Sequence, residues 1–184
     1  MSKKVLIITG DGGEEMEVYY PYERVREDGF TPVVASTAAK ELALKLHQAL
    51  EGEDTYSEFR GRTIRATLAF GEVNPEDYAA LIIPGGRAPE YLRLREDVLS
   101  VVRAFVDAGK PVGAVCHGPM VLAEAGVLKG VKATAVGDIK PEVVGSGAVW
   151  TDDRVAQDGG IVTAQTWEDC GPWMGAVMAL LKQN

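Results

Sequence analysis

Cys116 and His117, adjacent in the chain, carry the most reactive chemistry in this sequence. A thiol beside an imidazole is a nucleophile beside a candidate general base. The pair follows Pro111 to Val115, a short apolar run of the kind a buried central strand shows. Gly118 and Pro119 come next, and then Met120 to Ala125, which reads as a helix ending on Gly126. Cys116 therefore sits where a strand turns sharply into a helix. That is the nucleophile-elbow layout, which raises a side chain on strained backbone at a strand's carboxyl end. The expected strain falls on Gly118, whose conformational freedom the turn would use. The positive end of the following helix favours thiolate. Without its neighbours, Cys116 also reads as a buried core cysteine; the flanking His-Gly-Pro and the strand-to-helix context favour the reactive reading. Adjacent side chains normally diverge, so a Cys–His hydrogen bond depends on the elbow's backbone. A base also needs an orienting partner.

Sites in an open parallel sheet form at the carboxyl ends of the strands, and three loops are placed to meet there. The first, after Val5 to Thr9, brings Glu14, Glu15 and Glu17. A carboxylate held partly protonated beside a thiol donates a hydrogen bond to thiolate; the same acids also read as ordinary helix-start residues. The second loop, after Ala79 to Ile83, holds Gly85 and Gly86, where backbone can approach another group closely. The Gly86 and His117 amides form a candidate oxyanion hole, and a simple turn is the other reading of the glycine pair. Arg87 is either an anion-binding group or solvated. On residue type alone Glu90 is a solvated rim carboxylate. The third loop is the elbow itself.

The elements needed to position these groups follow from periodicity. Val5 to Thr9, a helix from Glu14 to Asp28 with Pro21 inside it, and a strand from Thr31 to Ala35 make a βαβ unit, which implies a parallel sheet. Ala38 to Glu51 reads as helix, with Leu42, Leu46, Ala49 and Leu50 at helical spacing; His47 then falls on a solvated surface. Thr63 to Phe70 reads as a strand of a small antiparallel excursion turning at Arg60 and Gly61. Asn74 and Pro75 cap one short turn. Arg95 to Ala108 is an amphipathic helix. Val131 to Val136 and Ala148 to Trp150 are further strands, with a short helix from Ile139 to Val144 between them. Val155 to Thr163 is a hairpin turning at Asp158 and Gly159, and a last helix runs from Pro172 to Lys182.

Composition narrows the function classes. A chain of 184 residues, 46% hydrophobic and 25% charged, is expected to be one domain over 1–184 with an ordinary core. Its 19 basic and 27 acidic residues leave a net charge of −8, which disfavours nucleic acid as a partner. No apolar run reaches membrane-spanning length, and the N-terminal run after Met1, Ser2, Lys3 and Lys4 is too short for a signal peptide. Cys116 and Cys170 are read as free thiols in a reducing cytoplasm. With only two histidines, His47 and His117, and no CxxC or HExxH, neither a metal site nor any other cofactor is expected.

Four segments resemble the PfpI intracellular-protease family of the ThiJ/PfpI superfamily: Glu14 to Pro21 (EEMEVYYP), Leu81 to Glu90 (LIIPGGRAPE), Gly109 to Pro119 (GKPVGAVCHGP) and Ala125 to Gly130 (AGVLKG). The resemblance implies a flavodoxin-like α/β three-layer sandwich with a mostly parallel central sheet, akin to class I glutamine amidotransferases. It matches the family nucleophile to Cys116, its histidine to His117, and the thiol-bonding acid to Glu17 with Glu14 close by. It matches Glu90 to a glutamate that a neighbouring subunit supplies to complete the triad. It implies a homodimer or hexamer acting on a peptide or on a small aldehyde such as methylglyoxal, as peptidase, glyoxalase or deglycase. The rival from another class is a non-catalytic thiol sensor or stress protein, in which Cys116 is only oxidised. One stretch departs from the family pattern: Ser36 to Tyr56 is longer and more helical in its periodicity. Cys170 matches no family role.

Overall fold

The computed structural model describes residues 3–183; Met1 and Ser2, part of the N-terminal reading, lie outside the described residues. The chain opens with β1 (Lys4–Ile8), α1 (Glu15–Glu27) and β2 (Thr31–Ser36). A hairpin of β3 (Glu41–Ala49) and β4 (Tyr56–Arg65) follows, then β5 (Leu68–Ala69) and β6 (Tyr78–Ile83). Next come α2 (Ala88–Leu92), α3 (Glu96–Asp107), β7 (Val112–Val115) and α4 (Pro119–Glu124). The chain closes through β8 (Lys132–Ala133), α5 (Lys140–Gly145), β9 (Val149–Trp150), β10 (Val155–Asp158), β11 (Ile161–Ala164) and α6 (Cys170–Gln183).

Among the described residues, seven strands form the main sheet in the order β10-β11-β7-β6-β1-β2-β5. Every pairing in it is parallel except that of β10 with β11. Strand alternation divides the core between the two faces. Leu6, Ile8, Leu81 and Ile83 join one apolar cluster with Val98, Val102 and Phe105 of α3 and Met120 to Leu122 of α4. Val5, Ile7, Ala80 and Ile82 join the other with Val18 and Val25 of α1 and Trp173, Met174 and Val177 of α6. The result is the three-layer α/β sandwich that the βαβ pattern and the resemblance imply.

Several local expectations give way. The stretch Ala38 to Glu51 is not a helix: it holds β3, paired antiparallel with β4. Arg60 and Gly61 are not a turn. They lie inside β4 where the register shifts between Ala43 and Lys45, and the hairpin reverses instead near Gly52, at φ 85°. Val131 to Val136 contributes only β8, and Leu68 and Ala69 form a separate short strand on the sheet edge beyond β2. α1 runs through Pro21 and stops before Gly29, at φ 81°. Arg87 is the N-cap residue of α2, and Glu90 lies in its first turn.

Candidate active site

The elbow forms because β7 is locked in the sheet up to its last residue and the next residue reverses. Cys116 N–H donates to Ala164 O at 3.1 Å, continuing the ladder to β11, while Gly118 N–H turns back to Val115 O at 2.7 Å. Cys116 takes φ 59°, the one positive value among described non-glycine residues. A side chain in that region costs on the order of 1–3 kcal/mol and persists only where its surroundings impose it. The strain thus sits on the cysteine and not on Gly118, whose φ −51° and ψ −41° are ordinary helix values. Gly118 is needed for space instead: a Cβ there would lie 2.3 Å from Ile83 O.

This backbone turns neighbours into partners. His117 Nδ1 lies 3.4 Å from Cys116 Sγ, and both residues are buried. Burial holds the imidazole below its ordinary pKa, against the opposing charges of Glu90 and Asp138, so a neutral ring is available to take a proton. The Gly86 and His117 amides both bear on the sulfur and favour thiolate. Burial outweighs them, as does the charge of Glu17, and the thiol is pushed up. The thiolate expected from the short helix α4 is therefore not what burial alone produces.

Glu17 supplies the other half of that balance. It is wholly buried, with Oε2 accepting Gly85 N–H at 2.7 Å, and Oε1 has no hydrogen-bond partner. Burial first, and Glu14's charge second, push its carboxyl well above the carboxylate range. A neutral Glu17 removes the repulsion it otherwise exerts on the sulfur, so carboxyl and thiol compete for one proton. Gly85 lets the parts meet: a Cβ there would be 2.6 Å from Cys116 Cβ and 2.7 Å from Glu17 Oε2. Glu14 caps α1, accepting Glu17 N–H at 2.7 Å, and burial raises it to about 7.

A model of the DJ-1/PfpI family matches residues 3–180. The chain belongs to the DJ-1/PfpI family. It is 38% identical over 179 residues to a protein named as a deglycase from Thermococcus kodakarensis, covering 97% of this chain and 99% of that one. It is 32% identical over 182 residues to a protein/nucleic acid deglycase of Escherichia coli, covering 98% and 99%. Among solved structures it is similar to an Anabaena variabilis protein with DJ-1/ThiJ/PfpI-like and ferritin-like domains, at TM-score 0.85 and 27% identity. That match covers 98% of this chain and 48% of the other. Schizosaccharomyces pombe DJ-1 shares the fold at TM-score 0.77 and 19% identity, covering 98% and 90%.

In this DJ-1/PfpI chain the remaining expected residues stand at the rim. Arg87 Nε pairs with Glu90 Oε1 at 2.8 Å, and Nη1 lies 4.0 Å from Glu58 Oε1, so the guanidinium is engaged by carboxylates. Glu90 is part-exposed and its charge acts on His117 of its own chain. His47, expected on a solvated surface, is buried, with Nε2 3.1 Å from Glu58 Oε1. It is a residue sequence reasoning missed, as are Tyr56 and Trp167 beside it. The signal was available as the polar cluster His47, Tyr56 and Glu58, but a helical reading scatters those three residues whereas a hairpin assembles them. Cys170 is buried, and burial with the charges of Glu17, Glu14 and Asp169 keeps its thiol protonated. Among the described residues no group of histidines, cysteines and carboxylates fits a metal ion, and no helix is long and apolar enough to cross a membrane.

Proposed function

We propose that this chain is a cysteine-dependent enzyme of the deglycase and glyoxalase type, acting on methylglyoxal or on the adduct methylglyoxal forms with an amine. The observation that carries the reading is the Cys116 thiol held 3.4 Å from a neutral His117 imidazole, with the buried Glu17 carboxyl as its proton partner. The names of relatives at 38% and 32% identity support it. With free methylglyoxal, the thiol adds to the aldehyde: the S–C bond forms and the thiol proton ends on the oxygen. With an amine adduct, the C–S bond forms as C–N breaks, and the proton leaves with the amine. Either route gives a hemithioacetal. A base then moves the proton from that carbon to the neighbouring carbonyl carbon while the hydroxyl proton passes to that carbonyl's oxygen, giving a thioester of lactate; water then breaks the C–S bond, releasing lactate and restoring the thiol. Glu17 and His117 are placed for these transfers, and the Gly86 and His117 amides for the developing oxyanion.

Burial of the sulfur, with Cys116 only 1% exposed, favours a small aldehyde or adduct over an extended peptide. We place the enzyme in the cytoplasm, on its free thiols, and assign Glu90 to a composite site in a homodimer or hexamer. The test is turnover of methylglyoxal, of a methylglyoxal-modified N-acetylated amino acid and of peptide reporters by purified protein beside Cys116→Ala. Lactate production lost in the variant supports the reading, and activity retained in it removes Cys116 from the mechanism.

A further inference from the structure

The β3–β4 hairpin brings a tyrosine, Tyr56, to the side of the first loop. β3 is tied to the first loop by Gly12 N–H to Ala43 O at 2.8 Å and by Lys45 N–H to Gly13 O at 2.9 Å. That places His47 beside the Glu14 end of α1, and the imidazole is fixed there by Glu58. Tyr56 of β4 stands edge-on to His47, with ring centroids 4.8 Å apart at 78°. It also stands edge-on to Trp167, at 5.9 Å and 85°. Trp167 lies just past β11, whose last residue, Ala164, accepts the Cys116 N–H. The ring is therefore held between two groups anchored on either side of the elbow.

Cys116, Asp138, Glu17 and Glu58 all lie within electrostatic reach of the Tyr56 phenol, whose ring the His47 and Trp167 contacts fix. Of the neighbouring charges that act on the phenol, that of Cys116 comes first, ahead of Asp138, Glu17 and Glu58. Burial and these acids hold the phenol protonated, so it can donate a hydrogen bond. The residue is half-buried, and its hydroxyl bonds no other described residue.

We propose that Tyr56 is a substrate-contacting residue of this site, its hydroxyl donating a hydrogen bond to the oxygen on the carbon that Cys116 attacks. The inference rests on the cysteine-nucleophile reading above. Tyr56 keeps its own proton throughout: the thiol proton ends on the substrate oxygen, and the phenol stabilises the charge that develops there. His47, Glu58 and Trp167 are positioning residues for the ring.

Tyr56→Phe keeps the ring and its packing and removes only the donor. The variant is expected to unfold close to the wild-type midpoint, and iodoacetamide is expected to alkylate its Cys116 at the wild-type rate. The methylglyoxal concentration that protects Cys116 from iodoacetamide should rise about 10-fold, and lactate production should fall about 10- to 100-fold. Wild-type protection and turnover in Tyr56→Phe would overturn the proposal. So would a loss seen in Tyr56→Ala and absent from Tyr56→Phe, which marks a packing role, or a wild-type Cys116 that methylglyoxal does not protect. Protection weakened in Tyr56→Phe with no turnover in either protein would uphold Tyr56 and defeat the enzymatic reading alone.

Discussion

Two buried carboxylates at the start of α1, Glu14 and Glu17, give individual residues consequences that can be measured. Glu14 is raised from 4.5 to about 7 chiefly by burial. The folded state therefore holds this proton more tightly than the unfolded chain does. The stability this contributes is fully present below about pH 4.5 and is lost as pH rises through 7, on the order of 3 kcal/mol in all. Glu14→Gln cannot titrate, so its melting temperature is expected to fall less than the wild type's between pH 5 and pH 8; equal slopes would contradict the assignment. Gly118→Ala tests the corrected role of that residue. Its backbone suits alanine, but the added carbon meets Ile83 O at 2.3 Å. A loss of about 1–3 kcal/mol in urea unfolding is expected, and an unchanged midpoint would show that the strand gives way freely. That Cys116, His117 and the Gly86 segment meet was legible from their places in strand-to-helix loops, whereas only the family resemblance set Glu17 apart from Glu14 and Glu15. The location of the strain was not legible, because residue type points to glycine for a positive φ and only the packed elbow assigns it to Cys116.

The β3–β4 hairpin is the element that sequence periodicity misassigned, and the reason is physical. Leu42 and Leu44 are buried in strand alternation, but the phase changes across the register shift, so that Leu46 turns outward and His47 inward. A strand whose alternation breaks midway leaves leucines at spacings a helix also produces. The bulged partner needs Gly61, where a Cβ would lie 2.7 Å from Glu15 Oε2. By contrast β1, β6 and β7 were readable because buried parallel strands are short unbroken apolar runs. The hairpin is fastened to α1 by Glu15, which accepts both Arg62 N–H and Arg62 Nε–H, and by Tyr19 O–H on Thr63 O. Glu15→Ala should cost about 1–2 kcal/mol and should speed hydrogen exchange selectively in β3 and β4 while β1, β6 and β7 stay protected. Uniform loosening of the main sheet would show that the hairpin is not a separate unit.

For the whole molecule, the mostly parallel sheet and its two helical layers followed from the βαβ pattern, whereas the strand order came only with the structure and assembly is beyond what one chain's periodicity encodes. Glu90 stands part-exposed at the rim, within electrostatic reach of His117 and paired with Arg87. If it serves a neighbour's site, mixing Cys116→Ala with Glu90→Ala subunits restores partial activity, because some sites then combine an intact Cys116 with an intact Glu90. Mixed oligomers with no recovered activity would confine Glu90 to its own chain. The claim on which all of this depends is that Cys116 is the nucleophile. It is tested most directly by intact-mass measurement during single-turnover reaction of wild type and Cys116→Ala with methylglyoxal, with lactate followed in parallel. A transient adduct mapping to Cys116 that decays as lactate appears is expected in the wild type, and neither signal in the variant. Lactate formed at the wild-type rate by Cys116→Ala would contradict it.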